Sequence, residues 1–192
     1  KRITAETCLN YLHFTSDDYA RLGNKIKCNP AIKAPFNRDA IWQAVLDDRL
    51  DAISTDHAPH LPEEKEVPYE KAHGGIPFVQ HSLSMMLYYV KRGKISLEKV
   101  VEKMCHNNAI IYQIKDRGYL REGYYADMVM VDMNAPVTVS KENILSRCGW
   151  SPLEGFTFPA TIEKTFVNGQ MVYGNGAWDE SVKGKRLLFD RQ

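Results

Sequence analysis

The string Ile53-Ser54-Thr55-Asp56-His57-Ala58-Pro59-His60 carries a carboxylate and two imidazoles just after a short apolar run. A carboxylate at the end of a strand can ligate a metal ion or serve as a base, and the histidines beside it can contact a substrate. Ala58-Pro59 stops the segment from continuing as strand or helix. Asp56, His57 and His60 stand too close in sequence to converge on one tetrahedral ion, so most ligands of such an ion must come from elsewhere. No His-x-His or His-Glu-x-x-His occurs in the chain. The plain alternative is a polar loop with a capping aspartate; strand-end placement, two histidines and a proline brace favour chemistry.

Two further segments could contribute. Lys25-Ile26-Lys27-Cys28-Asn29-Pro30-Ala31 again ends an apolar run in a polar residue braced by proline. The Asn29 amide offers a donor and an acceptor to an amide-like ligand, although Asn-Pro also starts ordinary turns. In His73-Gly74-Gly75-Ile76-Pro77 the glycines would let main-chain N–H groups approach a ligand, or would simply form a flexible loop. His13 and His81 read as surface residues of helices or loops. Cys105-His106 reads as a helix C-terminal cap, and Met85-Met86-Leu87-Tyr88-Tyr89 as core packing.

The elements that must hold these residues follow a βα order up to about residue 114. Strands are expected at Ile3–Cys8, Lys25–Cys28 and Asp51–Thr55, and helices at Arg38–Asp48, Val79–Lys91 and Ser96–Cys105. Pro35 suits a helix entrance, and the helix behind it brings Ile41, Val45 and Leu46 near one face beside Trp42. Ser96 is a predicted N-cap for a stripe of Leu97, Val100, Val101 and Met104. From Gly118 onward short β runs take over, at Ala126–Asp132, Val137–Val139, Ile162–Val167 and Gln170–Tyr173. Asn168-Gly169 predicts a type I′ hairpin. Ser151–Phe158 and Lys183–Gln192 are expected to pack across the surface.

Composition narrows the function class. The 25 basic and 24 acidic residues leave a formal charge of +1, so no global field favours nucleic acid or a membrane surface. No apolar run approaches the roughly 18 residues of a membrane span. The partner expected is a small molecule. The four cysteines are scattered without Cys-x-x-Cys and suit reduced core positions in a cytoplasmic protein. The chain opens at Lys1-Arg2-Ile3 without methionine, and Arg2–Thr7 alternates like a strand in mid-sheet, so the sequence reads as a fragment.

Taken together, Thr55-Asp56-His57-Ala58-Pro59-His60, Lys27-Cys28-Asn29-Pro30 and Gly74-Gly75 resemble the C-terminal portion of a class I dihydroorotase of the cyclic amidohydrolase superfamily. Ala5-Glu6-Thr7-Cys8 with Tyr11-Leu12, Asn107-Asn108-Ala109, Gly118-Tyr119-Leu120, Glu122-Gly123 and Ala126-Asp127 extend the resemblance over nearly the whole chain. The Thr-Asp-His-Ala-Pro-His string is specific within the superfamily; the rest is shared with hydantoinases and allantoinases. Leu9-Asn10-Tyr11 departs from a usual Pro-His-His or Pro-His-Tyr, Asn108 replaces a usual proline, and Gly74 stands where relatives often carry a bulkier residue.

The resemblance implies an α/β fold: residues 1–114 as the last three strands of a TIM barrel with their helices, and 115–192 as the C-terminal part of a small β-sandwich domain. It implies reversible hydrolysis of L-dihydroorotate to N-carbamoyl-L-aspartate, with one or two zinc ions per full-length subunit. Asp56 would be both zinc ligand and catalytic carboxylate; Asn29, His60 and the Gly74-Gly75 backbone would bind substrate, and the role of His57 stays open. The family's His-x-His, bridging carboxylate or carbamylated lysine, later histidines and substrate arginine are not in this sequence. Its partner would therefore be the N-terminal part of the same protein, with a homodimer also open, and this chain alone would be inactive. Hydrolysis of another cyclic amide and a non-catalytic assembly role are the alternatives.

Overall fold

In a computed structural model, residues 3–174 and 176–190 are described. They group into two compact units, each discontinuous in sequence: residues up to Met86 with Thr138–Phe158, and Leu87–Val137 with the residues from Pro159 onward. The expected division at residue 114 is therefore not where the contacts divide. Arg2, the first residue of the alternating run read from the sequence, lies outside the described residues.

The first unit is built on two parallel strands, β1 (Glu6–Cys8) and β2 (Ala52–Ser54), paired Glu6 to Ala52, Thr7 to Ile53 and Cys8 to Ser54. Asp51 continues the pairing, since its N–H donates to Ala5 O at 2.7 Å and its carboxylate accepts from Ala5 N–H at 2.8 Å. Both strands thus end level, and the segments leaving Cys8 and Ser54 emerge side by side. Helix α1 (Leu9–His13) follows β1 directly, α2 (Tyr19–Leu22) is a single turn, and α3 (Pro35–Leu46) starts on proline as expected. Trp42 and Val45 form the buried face of α3, and the Trp42 indole donates to Leu12 O at 2.8 Å. Leu9, Leu12, Phe14, Ile26, Ile53, Ile76 and Phe78 complete the core, with Phe14 edge-on to Phe78 at 6.1 Å.

Lys25–Cys28 is not a third strand. Gly23–Ile26 forms a 3₁₀ turn instead. Gly23 takes φ +50° at the end of α2, and the Asn24 amide donates to Lys65 O at 2.9 Å and Val67 O at 2.6 Å. Side-chain bonds to a neighbouring loop thereby replace a sheet ladder. Ser151–Phe158 also departs from expectation. Ser151, Leu153 and Phe158 are buried, and Thr138 of β4 (Val137–Thr138) meets Thr157 of β5 (Thr157–Phe158) through hydroxyls 2.8 Å apart.

In the second unit, β3 (Met128–Asp132), β6 (Thr161–Val167), β7 (Gln170–Gly174) and β8 (Ala177–Trp178) form an antiparallel sheet in the order β3-β6-β7-β8. Asn168 and Gly169 have φ +54° and +81°, the pair of positive values a type I′ turn requires. Arg117 locks the turn to the chain entering β3, donating to Asp127 and, at 2.6 Å, to Asn168 Oδ1. Ser96 caps α6 (Leu97–Val101), accepting from Lys99 N–H at 3.1 Å. Of the predicted stripe Val100 is buried, while Leu97 and Val101 are exposed.

The helix does not stop at Cys105-His106. A π-helical turn at Glu102–His106 leads into α7 (Asn107–Ile111), and His106 stacks on Tyr119 at 4.1 Å rather than capping. The Asn108 amide donates to Met104 O at 2.9 Å and Lys103 O at 3.4 Å, work that a proline at this position could not do. The Met85-Met86-Leu87 run of α5 (Ser82–Lys91) is buried as expected. The tail from Lys183 to Asp190 is exposed, and its Leu188 O accepts from Lys115 N–H at 2.9 Å. All four cysteines are free, with Cys28 and Cys148 buried, Cys8 half-buried and Cys105 exposed. No helix among the described residues is long and apolar enough to cross a membrane.

Candidate functional site

Asp56 follows the end of β2 by two residues and takes φ +46°, a left-handed turn that swings the chain away from the strand direction. Its carboxylate is exposed and makes no hydrogen bond or ion pair among the described residues. Its charge is still felt locally. Burial chiefly, with Asp56 adding to it, pushes up the Cys8 and Cys28 thiols and the Tyr11 phenol. The acid therefore lies within electrostatic reach of Cys8, Tyr11 and the Cys28-Asn29 segment. Tyr11 fixes that segment, donating to Pro30 O at 2.7 Å.

The loop beyond Asp56 is docked by main-chain pairing. His57 bridges to Ile76, Ala58 N–H donates to Ile76 O at 3.2 Å, and Val79 N–H donates to His57 Nδ1 at 3.2 Å. The open question about His57 thus has a structural answer: it holds the Asp56 loop to the chain that follows Gly75. His60 lies further along, stacked on the His73 ring at 4.9 Å with 13° between planes. Its Nδ1 faces Glu64 Oε2 at 3.6 Å, and its carbonyl accepts from the Trp150 indole at 2.8 Å.

Two of the residues singled out in the sequence, Asn29 and His60, converge on the glycine pair. A Cβ on Gly74 would stand 2.8 Å from Asn29 Nδ2, so the missing side chain is what lets the Asn29 amide lie there. A Cβ on Gly75 would stand 2.5 Å from Ala58 O and 2.9 Å from His60 Cδ2. Asn29, Gly74, Gly75 and His60 are therefore packed together. One expectation fails here: the Gly75 N–H is not offered to a ligand, because it donates to Lys27 O at 2.9 Å. Gly74 keeps its N–H free of hydrogen bonds among the described residues.

The group that gathers these loops was not picked out from sequence. Lys65, at the end of the short helix α4 (Pro62–Lys65), is only 4% exposed. Its ammonium donates to the carbonyls of His73 at 2.7 Å, Gly75 at 2.9 Å and Lys27 at 3.3 Å. Burial lowers its pKa to about 8, with Cys28 acting to raise it and Lys27 to lower it further. In Glu63-Glu64-Lys65-Glu66 the lysine reads as part of a solvated charged face, and only its neighbours in space reveal otherwise. Trp150 was missed likewise, being ninety residues from His60. His13 and His81, expected at the surface, are not there: His81 is 5% exposed against Phe158, and His13 sits edge-on between Phe14 and Phe156.

No group of three or more His, Cys, Asp or Glu side chains able to hold a metal ion occurs among the described residues. The Asp56 carboxylate, exposed and unpartnered, has the chemistry of a metal ligand, but one carboxylate does not make a metal site by itself. The sequence profile of the Amidohydrolase family matches residues 12–172.

The chain belongs to the amidohydrolase family.

Within that family it is 38% identical over 173 residues to a dihydroorotase of Endomicrobium trichonymphae, covering 90% of this chain and 41% of that protein. It is 31% identical over 188 residues to an allantoinase of Deinococcus radiodurans, covering 96% of this chain and 41% of the relative. Among solved structures, the L-hydantoinase of Arthrobacter aurescens superposes with a TM-score of 0.85 at 30% identity, over 91% of this chain and 40% of the hydantoinase. The amidohydrolase chain thus spans about two fifths of the length of these relatives. Its fold is α/β and of the barrel type of these relatives, and its similarity is to proteins named dihydroorotase, allantoinase and hydantoinase.

Proposed function

We propose that this chain carries the Asp56 and substrate-facing loops of a zinc-dependent dihydroorotase, which hydrolyses L-dihydroorotate reversibly to N-carbamoyl-L-aspartate in pyrimidine synthesis. The observation that carries the reading is the packing of Asn29 against Gly74 and of Ala58 and His60 against Gly75, next in the chain to an unpartnered Asp56 carboxylate. The dihydroorotase at 38% identity supports this choice of substrate.

Asp56 and groups from outside the chain would hold zinc, which supplies Lewis acidity toward a ring carbonyl and makes water acidic enough to attack near pH 7. The Asp56 carboxylate takes the proton of the attacking water and returns it to the ring nitrogen as the amide C–N bond breaks, so no net proton is consumed in opening the ring. The Asn29 amide donates to one ring carbonyl and accepts from a ring N–H. His60 presents Nε2 to the substrate, its Nδ1 edge being turned to Glu64. Gly74 N–H adds a main-chain donor, and Gly75 contributes by close packing. The binding partner of this chain is then the rest of its own polypeptide.

The test is turnover of dihydroorotate by the full-length protein, with Asp56→Asn expected to lower kcat by about a thousandfold or more while Asn29→Ala chiefly raises KM. Unchanged turnover in Asp56→Asn would sink the assignment. A second reading, hydrolysis of allantoin or a hydantoin, draws on the 31% identity to the allantoinase and the hydantoinase superposition. A substrate panel on the intact protein, ranked by kcat/KM, separates the two.

A further inference from the structure

We infer that Lys65 is a positioning residue that ties the Asn29 loop and the Gly74-Gly75 loop into one substrate-binding frame. Three N–H bonds of its ammonium go to three main-chain carbonyls, those of Lys27, His73 and Gly75, and it makes no ion pair among the described residues. A buried cation whose partners are all backbone oxygens does not neutralise a charge; it fixes where the backbone runs.

Each carbonyl belongs to a segment adjoining the site. Lys27 stands two residues before Asn29, His73 immediately before Gly74, and Gly75 packs against Ala58 and His60. The Gly75 N–H to Lys27 O bond closes the same frame from the other side. The anchor is itself tied to His60: α4 begins two residues after it, and Glu64 accepts from Leu61 N–H at 2.7 Å while facing the His60 ring. Moving the ammonium would therefore shift the Asn29 amide relative to Gly74 and His60 while leaving β2 and Asp56 where they are.

The role of Lys65 rests on the proposed cyclic-amide site. It is tested by steady-state kinetics of the full-length protein and its Lys65→Gln and Lys65→Arg variants, on whichever cyclic amide the protein turns over best. The expected result for Lys65→Gln is a KM raised about tenfold or more with kcat within about threefold of the parent, and for Lys65→Arg a rise of about threefold. In combination with Asn29→Ala, the Lys65→Gln effect on KM should be smaller than on the parent, because the frame then has one less group to aim. An unmoved KM, a loss confined to kcat, or full multiplicativity with Asn29→Ala each overturns the role. Should Lys65→Gln fail to fold, Lys65→Arg decides: it keeps the charge and moves the donors, so an unchanged KM there also overturns it. Absence of turnover on every cyclic amide removes the reading of the site and the role of Lys65 with it, whereas turnover with unmoved KM removes the latter alone.

Discussion

At the scale of single residues, the two neighbouring glycines should respond differently to the same added methyl group. Gly74 is closely approached only by the end of the Asn29 side chain, which can swing aside, so Gly74→Ala should leave thermal stability within about 1 kcal/mol and, on the proposed function, raise KM several-fold in the full-length protein. Gly75 has φ +152°, and a methyl group there would stand 2.5 Å from the Ala58 carbonyl oxygen, so Gly75→Ala should cost about 2 kcal/mol or more, read as a fall in unfolding midpoint. Two histidines, His81 buried and His13 half-buried between aromatic rings, set the acid limit. Burial holds His13 and His81 near pKa 4, below the roughly 6.5 of an unfolded histidine. The unfolded chain therefore binds protons that the folded one refuses, and stability complete above pH 6.5 is lost as the pH falls toward 4, by on the order of 3 kcal/mol for each. Unfolding midpoints measured from about pH 7 to about 4.5 should drop, and His81→Phe should flatten part of that slope. The sequence disclosed Asp56, Asn29, His60 and the glycines because their types are unusual beside proline and strand ends. It concealed the burial of Lys65 and His81 and the aromatic packing of His13, since a polar side chain's surroundings depend on what folds over it.

At the scale of elements, the hairpin after β6 depends on one cation. Arg117 is 9% exposed and is held by Asp127 and Asn168, so Asp127→Ala leaves a buried charge without its counter-ion. The expected cost is about 3 kcal/mol in unfolding free energy, and Arg117→Met added to Asp127→Ala should recover part of it. Denaturant unfolding of the parent and the three variants in the cycle checks both statements. Asn168-Gly169 was legible because two positive φ values admit few residue pairs, and Pro35 because a fixed φ suits a helix start. Lys25–Cys28 was misread for the opposite reason: its apolar-polar alternation is real, but the Asn24 amide bonds that prevent pairing reach across some forty residues. The grouping of Thr138–Phe158 with the first unit was hidden in the same way, its burial arising from long-range contacts.

At the scale of the whole molecule, β1 and β2 form a two-stranded parallel sheet, an arrangement that in barrel proteins is continued on both sides. The separated chain should therefore bind an apolar dye, associate through its open edges and show no hydrolysis, whereas the full-length protein should do neither of the first two. Sedimentation and dye fluorescence of both would check it. The Trp150 indole, bonded to the carbonyl of His60, gives the same full-length protein a built-in optical probe. Trp42 is sealed in the core and Trp178 is solvent-facing, so an emission change on adding a cyclic amide should vanish in Trp150→Phe. Occupancy could then be followed by fluorescence titration even in Asp56→Asn, where catalysis itself gives no signal.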